Sequence, residues 1–426
     1  MKIIRFPKRN EWAELLKRPV LDYADLEQKV TAILKDVKEN KDEAVAKYSL
    51  LYDRVKLRQF EVSETEFKNA ENDCPEELKN AIRQAFHSIE RFHLSQVEEI
   101  KIIETVPGVQ CWRKSVGIEK VGLYVPGGTA PLFSTVLMLG VPAMIAGCRE
   151  IILCSPCNDA GELNPAILFA AKLTGINKVF KIGGVQAIAA MAYGTMSIPQ
   201  VYKIFGPGNQ YVTCAKQLIT KEGIATDMPA GPSELAVLAD LSANPEFVAA
   251  DLLSQAEHGI DSQVILISDN ETVLTKTIAE IEKQVNFLKR KEIASRALLN
   301  SRIFLVENME MAIELVNEYA PEHLILACEE SEVLAETIKN AGSVFLGNYS
   351  PESAGDYASG TNHTLPTNGH AKAYSGVSVD SFVKKITFQK LSRSGLVEIA
   401  ATVEIMAAAE GLDAHKNAVK IRIQDV

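Results

Sequence analysis

The sequence predicts an α/β protein: two tandem α/β domains with parallel sheets, a helical N-terminal arm and a small C-terminal tail. Three observations predict it. The chain has 426 residues, more than one core organises, because single cores stop growing near ~250–300 residues. From residue 119 onward, short β-branched runs alternate with helical stretches every ~25–30 residues, the pattern of βαβ units around a parallel sheet. A turn-rich segment at 227–233, DMPAGPS, separates two series of such runs. The expected units are 1–118 (helical), 119–233 and 234–370 (α/β) and 371–426 (tail).

The arm comes first. Residues 25–48 and 75–95 show helical polar and apolar periodicity. Ser63 and Glu66 form a capping box for a further helix, with Val62 and Phe67 as its hydrophobic staple. The first α/β series has strand-like runs at 120–125, 150–154, 178–182 and 200–205, and the second at 234–238, 263–268, 302–306, 323–327 and 343–346. After Gly347 come roughly 25 residues rich in Gly, Ser, Asn and Pro, a length that marks a functional loop. The tail reads as a short strand and helices at 396–410 and 413–419, with Gly411 as the stop between them.

Charge and composition narrow the functional classes. With 45 Lys+Arg against 55 Asp+Glu the net charge is −10, which argues against a nucleic-acid partner. The uncharged run at 121–148 is long enough to cross a bilayer, but three prolines and five glycines break it, so a buried strand, loop and helix are expected and no membrane span. The charged N-terminal stretch lacks an apolar signal core, and seven irregularly spaced cysteines suit a reducing compartment, so a cytoplasmic location is expected.

Open α/β sheets bind ligands beyond the carboxyl ends of their strands. Three glycine loops stand there: Pro126-Gly127-Gly128, Gly183-Gly184-Val185-Gln186 and Gly206-Pro207-Gly208-Asn209. They suit close approach of a nucleotide, or simply tight turns, and neither standard phosphate-binding fingerprint occurs. The histidines are more specific. Gln255 and His258 share one face near the end of a helix opened by Asn244 and Pro245. Glu322 and His323 are an adjacent acid/base combination at a strand start after Pro321. Asp356 and His363 lie in the long loop, and Glu410 and His415 straddle the helix break in the tail. A metal site from Gln255, His258, Asp356 and His415 would use only N and O ligands, acceptable for zinc. The lone C-x-x-C, Cys154 and Cys157, has no second pair, and these thiols are expected to be bystanders.

Taken together, VGLYVPGGTAPLFSTVLM, IGGVQAIAAMAYGT, GPGNQYVTCAK, DMPAGPSE, LLSQAEHG, APEHL, SAGDYASGTNHTLPTNGHA and EGLDAHKNAV resemble, in order, the signatures of the histidinol dehydrogenase family. The resemblance implies two tandem incomplete Rossmann-like domains and oxidation of L-histidinol to L-histidine through L-histidinaldehyde, with two NAD and one water. It implies zinc ligands at Gln255, His258, Asp356 and His415, and NAD contacts at Tyr124, Gln186 and Asn209. Substrate contacts are implied at Ser233, His323, His363 and Glu410, joined by the metal ligands, with Glu322 and His323 as the acid/base pair. In the family zinc orients the substrate, and the enzymes are domain-swapped homodimers whose tail completes the partner's site. The competing expectations are a related dehydrogenase for another alcohol, which the set His363, Glu410 and His415 disfavours, and a non-catalytic metal- or nucleotide-binding protein, which has no use for Glu322 and His323.

Overall fold

The structure, a computed structural model, describes residues 1, 3–19, 23–127, 131–229 and 231–424. Gly128 of the first glycine loop and Ala230 of the dividing turn lie outside the described residues. The N-terminal region holds β1 (Ile3–Arg5), α1 (Trp12–Leu15), α2 (Tyr23–Tyr48), α3 (Glu64–Asp73), α4 (Glu76–Leu94), β2 (Ile103–Val106) and β3 (Val109–Gly117). The chain breaks its helical path inside α2 at Lys41, where φ is +51°. The capping box of Ser63 and Glu66 closes both ways at the start of α3.

This region is not wholly helical, contrary to expectation. β1 joins the second parallel sheet by pairing with Ile303, Phe304 and Leu305, and the hairpin of β2 and β3 pairs with the tail. Three residues are too few to show a period, and β3, with the polar run Arg113-Lys114-Ser115 and only Val109 buried, lacks the regular alternation that marks a strand.

The first α/β unit runs β4 (Lys120–Tyr124), α5 (Phe133–Ile145), β5 (Glu150–Cys154), α6 (Pro165–Leu173), β6 (Lys178–Phe180), α7 (Gly184–Tyr193), β7 (Lys203–Phe205), α8 (Gln210–Thr220) and β8 (Ala225–Thr226). Its parallel sheet has the order β6-β5-β4-β7-β8. The second runs β9 (Glu234–Ala239), α9 (Pro245–Ala256), β10 (Gln263–Ser268), α10 (Glu271–Gln284), α11 (Lys291–Leu299), β11 (Arg302–Leu305), α12 (Met309–Tyr319), β12 (His323–Ala327), α13 (Ser331–Ala335) and β13 (Ser343–Leu346). Its parallel sheet has the order β1-β11-β10-β9-β12-β13. All residues of β9, β10 and β12 are buried, as strands covered on both faces must be. Asn164, Asn209, Asn244, Asn270 and Asn308 each accept a backbone N–H at the start of the helix that follows, which is why these helices begin where they do.

Beyond β13 the expected irregular loop contains a short helix, α14 (Glu352–Tyr357). The tail is β14 (Val383–Leu391), α15 (Arg393–Ala409) and α16 (Asp413–Ile423). β14 pairs antiparallel with β3 along its whole length, in a three-stranded sheet of order β14-β3-β2. The carboxyl edge of the first sheet and the amino edge of the second border one cavity, lined by Gly206 and Asn209 from one side and Ser233 and Glu322 from the other.

Candidate active site

Helix α9 carries Gln255 in its last turn, fully buried, and His258 just beyond its end. Opposite it, α14 presents Glu352 and Asp356, four residues apart and therefore on one face. Ligand-type atoms of His258, Glu352 and Asp356 all lie within 4.8 Å of one another. With its amide nitrogen toward Glu352, Gln255 donates to both carboxylate oxygens, at 3.2 Å for Oε2, and Ser254 Oγ donates to Oε2 at 3.2 Å. Among the described residues no lysine or arginine forms a salt bridge with Glu322, Glu352 or Asp356. Buried carboxyls without a protein cation, grouped with an imidazole, make a donor set that fits a divalent metal.

The acid/base candidates stand beside this cluster, at the amino end of β12. Ala320 has φ +52° and turns the chain out of α12, and Pro321 leads Glu322 into the site. Glu322 Oε2 accepts the Glu234 N–H at 2.9 Å. His323 Nδ1 lies 3.3 Å from the Glu234 carbonyl oxygen, 3.7 Å from Glu322 Oε2 and 3.9 Å from Glu352 Oε1. Its Nε2 lies 3.7 Å from Asp356 Oδ1 and has no hydrogen-bond partner among the described residues. Burial lowers the His323 pKa to about 4, against the opposing pull of Asp356. The imidazole is therefore neutral near pH 7 and able to take a proton. Burial raises Glu322 well above the ordinary carboxylate range, although the Glu234 N–H opposes it. His363 completes the wall, with Nδ1 3.0 Å from the Asp356 carbonyl oxygen and Nε2 3.0 Å from Thr135 Oγ1. Ser233, His258, Glu322 and His363 line one cavity of about 310 Å3.

A larger cavity of about 1240 Å3 opens along the carboxyl edge of the first sheet, lined by Tyr124, Gln186, Asn209 and Asp53 among others. Tyr124 closes β4, and its hydroxyl accepts the Gly184 N–H at 3.0 Å. Gln186 Nε2 donates to Asp53 Oδ2 at 3.1 Å, while Asn209 caps α8. Gly206 has φ +127°, and a β-carbon there would overlap the Tyr124 carbonyl. Its N–H donates to Asp227 Oδ2 at 2.7 Å, its carbonyl accepts from Lys216 Nζ at 2.9 Å, and Lys216 and Asp227 pair directly in the interior. The two cavities share Pro126 and Asn209.

A large cavity thus shares lining residues with a small one that stands beside a neutral histidine and a metal-type cluster. The histidinol dehydrogenase family model matches residues 16–423. The chain belongs to the histidinol dehydrogenase family. It is 58% identical to histidinol dehydrogenase of Bacteroides fragilis over 426 residues, covering 100% of both chains. Identity to the Bacteroides thetaiotaomicron enzyme is 59% over 423 residues, 99% of each. The crystal structure of histidinol dehydrogenase from Elizabethkingia anophelis superposes with a TM-score of 0.98 at 54% identity, over 100% of this chain and 98% of that one. Membership makes the chain an oxidoreductase.

Set against the family's expected ligands, His258 and Asp356 meet in the cluster and Gln255 abuts it through Glu352. His415 and Glu410 stand exposed on the tail and are not in this chain's cluster. Tyr124, Gln186 and Asn209 share one cavity, and Ser233, His258, Glu322 and His363 share the other. Glu352 was not anticipated from the sequence. Its only signal was the four-residue spacing to Asp356, hidden in a segment composed like a loop. All seven cysteines are free, and burial raises Cys157 to about 11 and Cys154 further still, which makes both poor nucleophiles. Among the described residues no helix is long and apolar enough to cross a membrane.

Proposed function

We propose that the protein oxidises L-histidinol to L-histidine through L-histidinaldehyde, in the cytoplasm, as an NAD-dependent zinc enzyme and a homodimer with shared active sites. The observation that carries this is the buried, neutral His323, whose Nε2, without a hydrogen-bond partner among the described residues, stands beside Asp356, while the adjacent Glu322 lines a cavity that shares Pro126 and Asn209 with the cavity of Tyr124 and Gln186. When bound, NAD accepts the hydride of each half-reaction and zinc orients the substrate. Gln255, His258 and Asp356 hold the metal, and His415, exposed on the tail, completes the set in a second subunit's site. Ser233, His363 and Glu410 bind substrate.

Loss of hydride from the alcohol carbon requires the hydroxyl proton to leave, and His323 takes it. The aldehyde then adds water, because a gem-diol can lose a second hydride and a bare aldehyde cannot. Glu322, as the carboxylate, removes a proton from that water, protonated His323 returns its proton to the aldehyde oxygen as the diol forms, and His323 then serves again as base when the diol is oxidised. Burial makes the Glu322 carboxylate, in its ionised form, a stronger base toward that water, and leaves His323 neutral and able to accept a proton near pH 7.

Zinc-loaded protein given L-histidinol and NAD should release two NADH per substrate consumed. Chelation should abolish turnover and added zinc restore it. No turnover by zinc-loaded protein refutes the reading, and one NADH per substrate with accumulated aldehyde refutes the second half-reaction.

A further inference from the structure

The N-terminal arm reaches the acid/base pair through one side chain. Arg18 is largely buried, and its Nε and Nη2 donate to Glu234 Oε1 at 2.5 Å and Oε2 at 2.9 Å. Nη2 also donates to the Tyr319 carbonyl at 2.7 Å, and the guanidinium lies over the Tyr319 ring at 4.1 Å. One planar fork thus grips the first residue of β9 and the last residue of α12, three positions before Glu322.

Glu234 is the junction. Its carboxylate also accepts the Asn368 N–H at 2.8 Å, on the segment that follows His363. Its backbone N–H holds Glu322 Oε2 at 2.9 Å, and its carbonyl faces His323 Nδ1 at 3.3 Å. A carbonyl can only accept, so this contact places the proton of neutral His323 on Nδ1 and leaves the lone pair on Nε2, the atom without a partner.

We infer that Arg18 is a positioning residue for the acid/base pair, acting through Glu234, whose backbone orients Glu322 and sets the tautomer of His323. Without the guanidinium, a carboxylate only 2% exposed loses its counter-charge and must turn or protonate, and the backbone that holds both residues moves with it. The inference rests on the reading of Glu322 and His323 as the acid/base pair.

The test uses the full-length, zinc-loaded enzyme and the variants Arg18→Met, Arg18→Lys, Glu234→Gln, Glu322→Gln and His323→Ala. Arg18→Met should lower kcat about tenfold or more, since misplacement of reacting groups by ~1 Å costs up to ~100-fold, while KM for L-histidinol and zinc content change less than about twofold. Arg18→Lys, which keeps the charge without the fork, should fall between parent and Arg18→Met. In the Glu322→Gln background Arg18→Met should cost no more than about twofold, because residues acting through one another are not additive. Full additivity, or kcat within twofold of the parent in folded Arg18→Met, overturns the inference. If Arg18→Met does not fold, Arg18→Lys and Glu234→Gln decide it: parent-like kcat in both overturns it, and loss in both at unchanged KM supports it. Parent-like turnover by Glu322→Gln and His323→Ala overturns the acid/base reading and the inference with it. Loss in those two without loss in the Arg18 variants overturns the inference alone.

Discussion

His323 is 4% exposed, and its protonation state follows from the loss of water around it. The same burial acts in the opposite sense on a neighbouring acid. Asp251, one turn before Gln255 in α9, is raised to about 7 by desolvation. A carboxyl whose folded pKa is raised contributes stability that is fully present below its unfolded value near 3.8 and lost as pH rises through 7. His323 works the other way: its folded pKa lies below 6.5, so its contribution is lost as pH falls from 6.5 toward 4. The two offset each other in the parent, so the informative comparison is between parent and variant. Asp251→Asn should leave thermal stability almost unchanged at pH 4 and raise it at pH 8, by up to about 4 kcal/mol at 1.36 kcal/mol per pKa unit. An equal change in Tm at both pH values would contradict the assignment. At this scale the sequence was legible where chemistry and spacing coincide, as in Glu322-His323 and Gln255 with His258. It was illegible at Glu352 and Arg18, whose roles depend on partners that no local pattern names.

Secondary structure was easiest to read where burial is two-sided. The runs of β9, β10 and β12 are continuous and apolar, and the sequence locates them to within a residue. β1, β8 and the hairpin of β2 and β3 were missed, because they are very short or half-exposed and take their strand character from the partner they pair with. Helix α14 has the composition of a loop for the converse reason: Gly, Ser and Pro dominate its surroundings, and tertiary contacts override their low helix propensity. The glycine loop after β7 makes a testable case. Gly206 combines φ +127° with a site where a β-carbon meets the Tyr124 carbonyl, whereas Gly223 has φ +91° and open space around it. Gly206→Ala should therefore cost clearly more than Gly223→Ala, with roughly 1–3 kcal/mol of backbone strain common to both. It should also raise KM for both NAD and L-histidinol, because Asn209 of the loop borders the larger cavity and Gly206 itself the smaller one. Equal loss of Tm in the two variants would refute the packing argument.

The whole chain leaves a surface unexplained by one subunit. α15 and α16 pack on each other, and α15 on β14, while Val397, Ile405, Met406, Leu412 and Ile421 remain exposed. Glu410 and His415 lie on the same projecting tail. A second copy covering that surface would bring both residues to its own cluster, so inactive His415→Ala and inactive His323→Ala subunits should regain activity when mixed and exchanged. No recovery after verified exchange would mean that each site is built within one chain.

The sequence by itself determined the alternation of strands and helices, the two series of parallel strands, most of the site's residue types and the family they belong to, because period, capping and motif spacing are local properties. Only the tertiary structure decided that the carboxyl edge of one sheet meets the amino edge of the other. It alone decided that β1 crosses to the second sheet and that Arg18 reaches Glu234 across 216 positions. It alone decided which of the carboxyls and imidazoles lose their water. Desolvation and hydrogen bonding over such separations depend on how surfaces pack together, and it is packing that keeps an ordinary histidine neutral at the edge of a metal-type cluster.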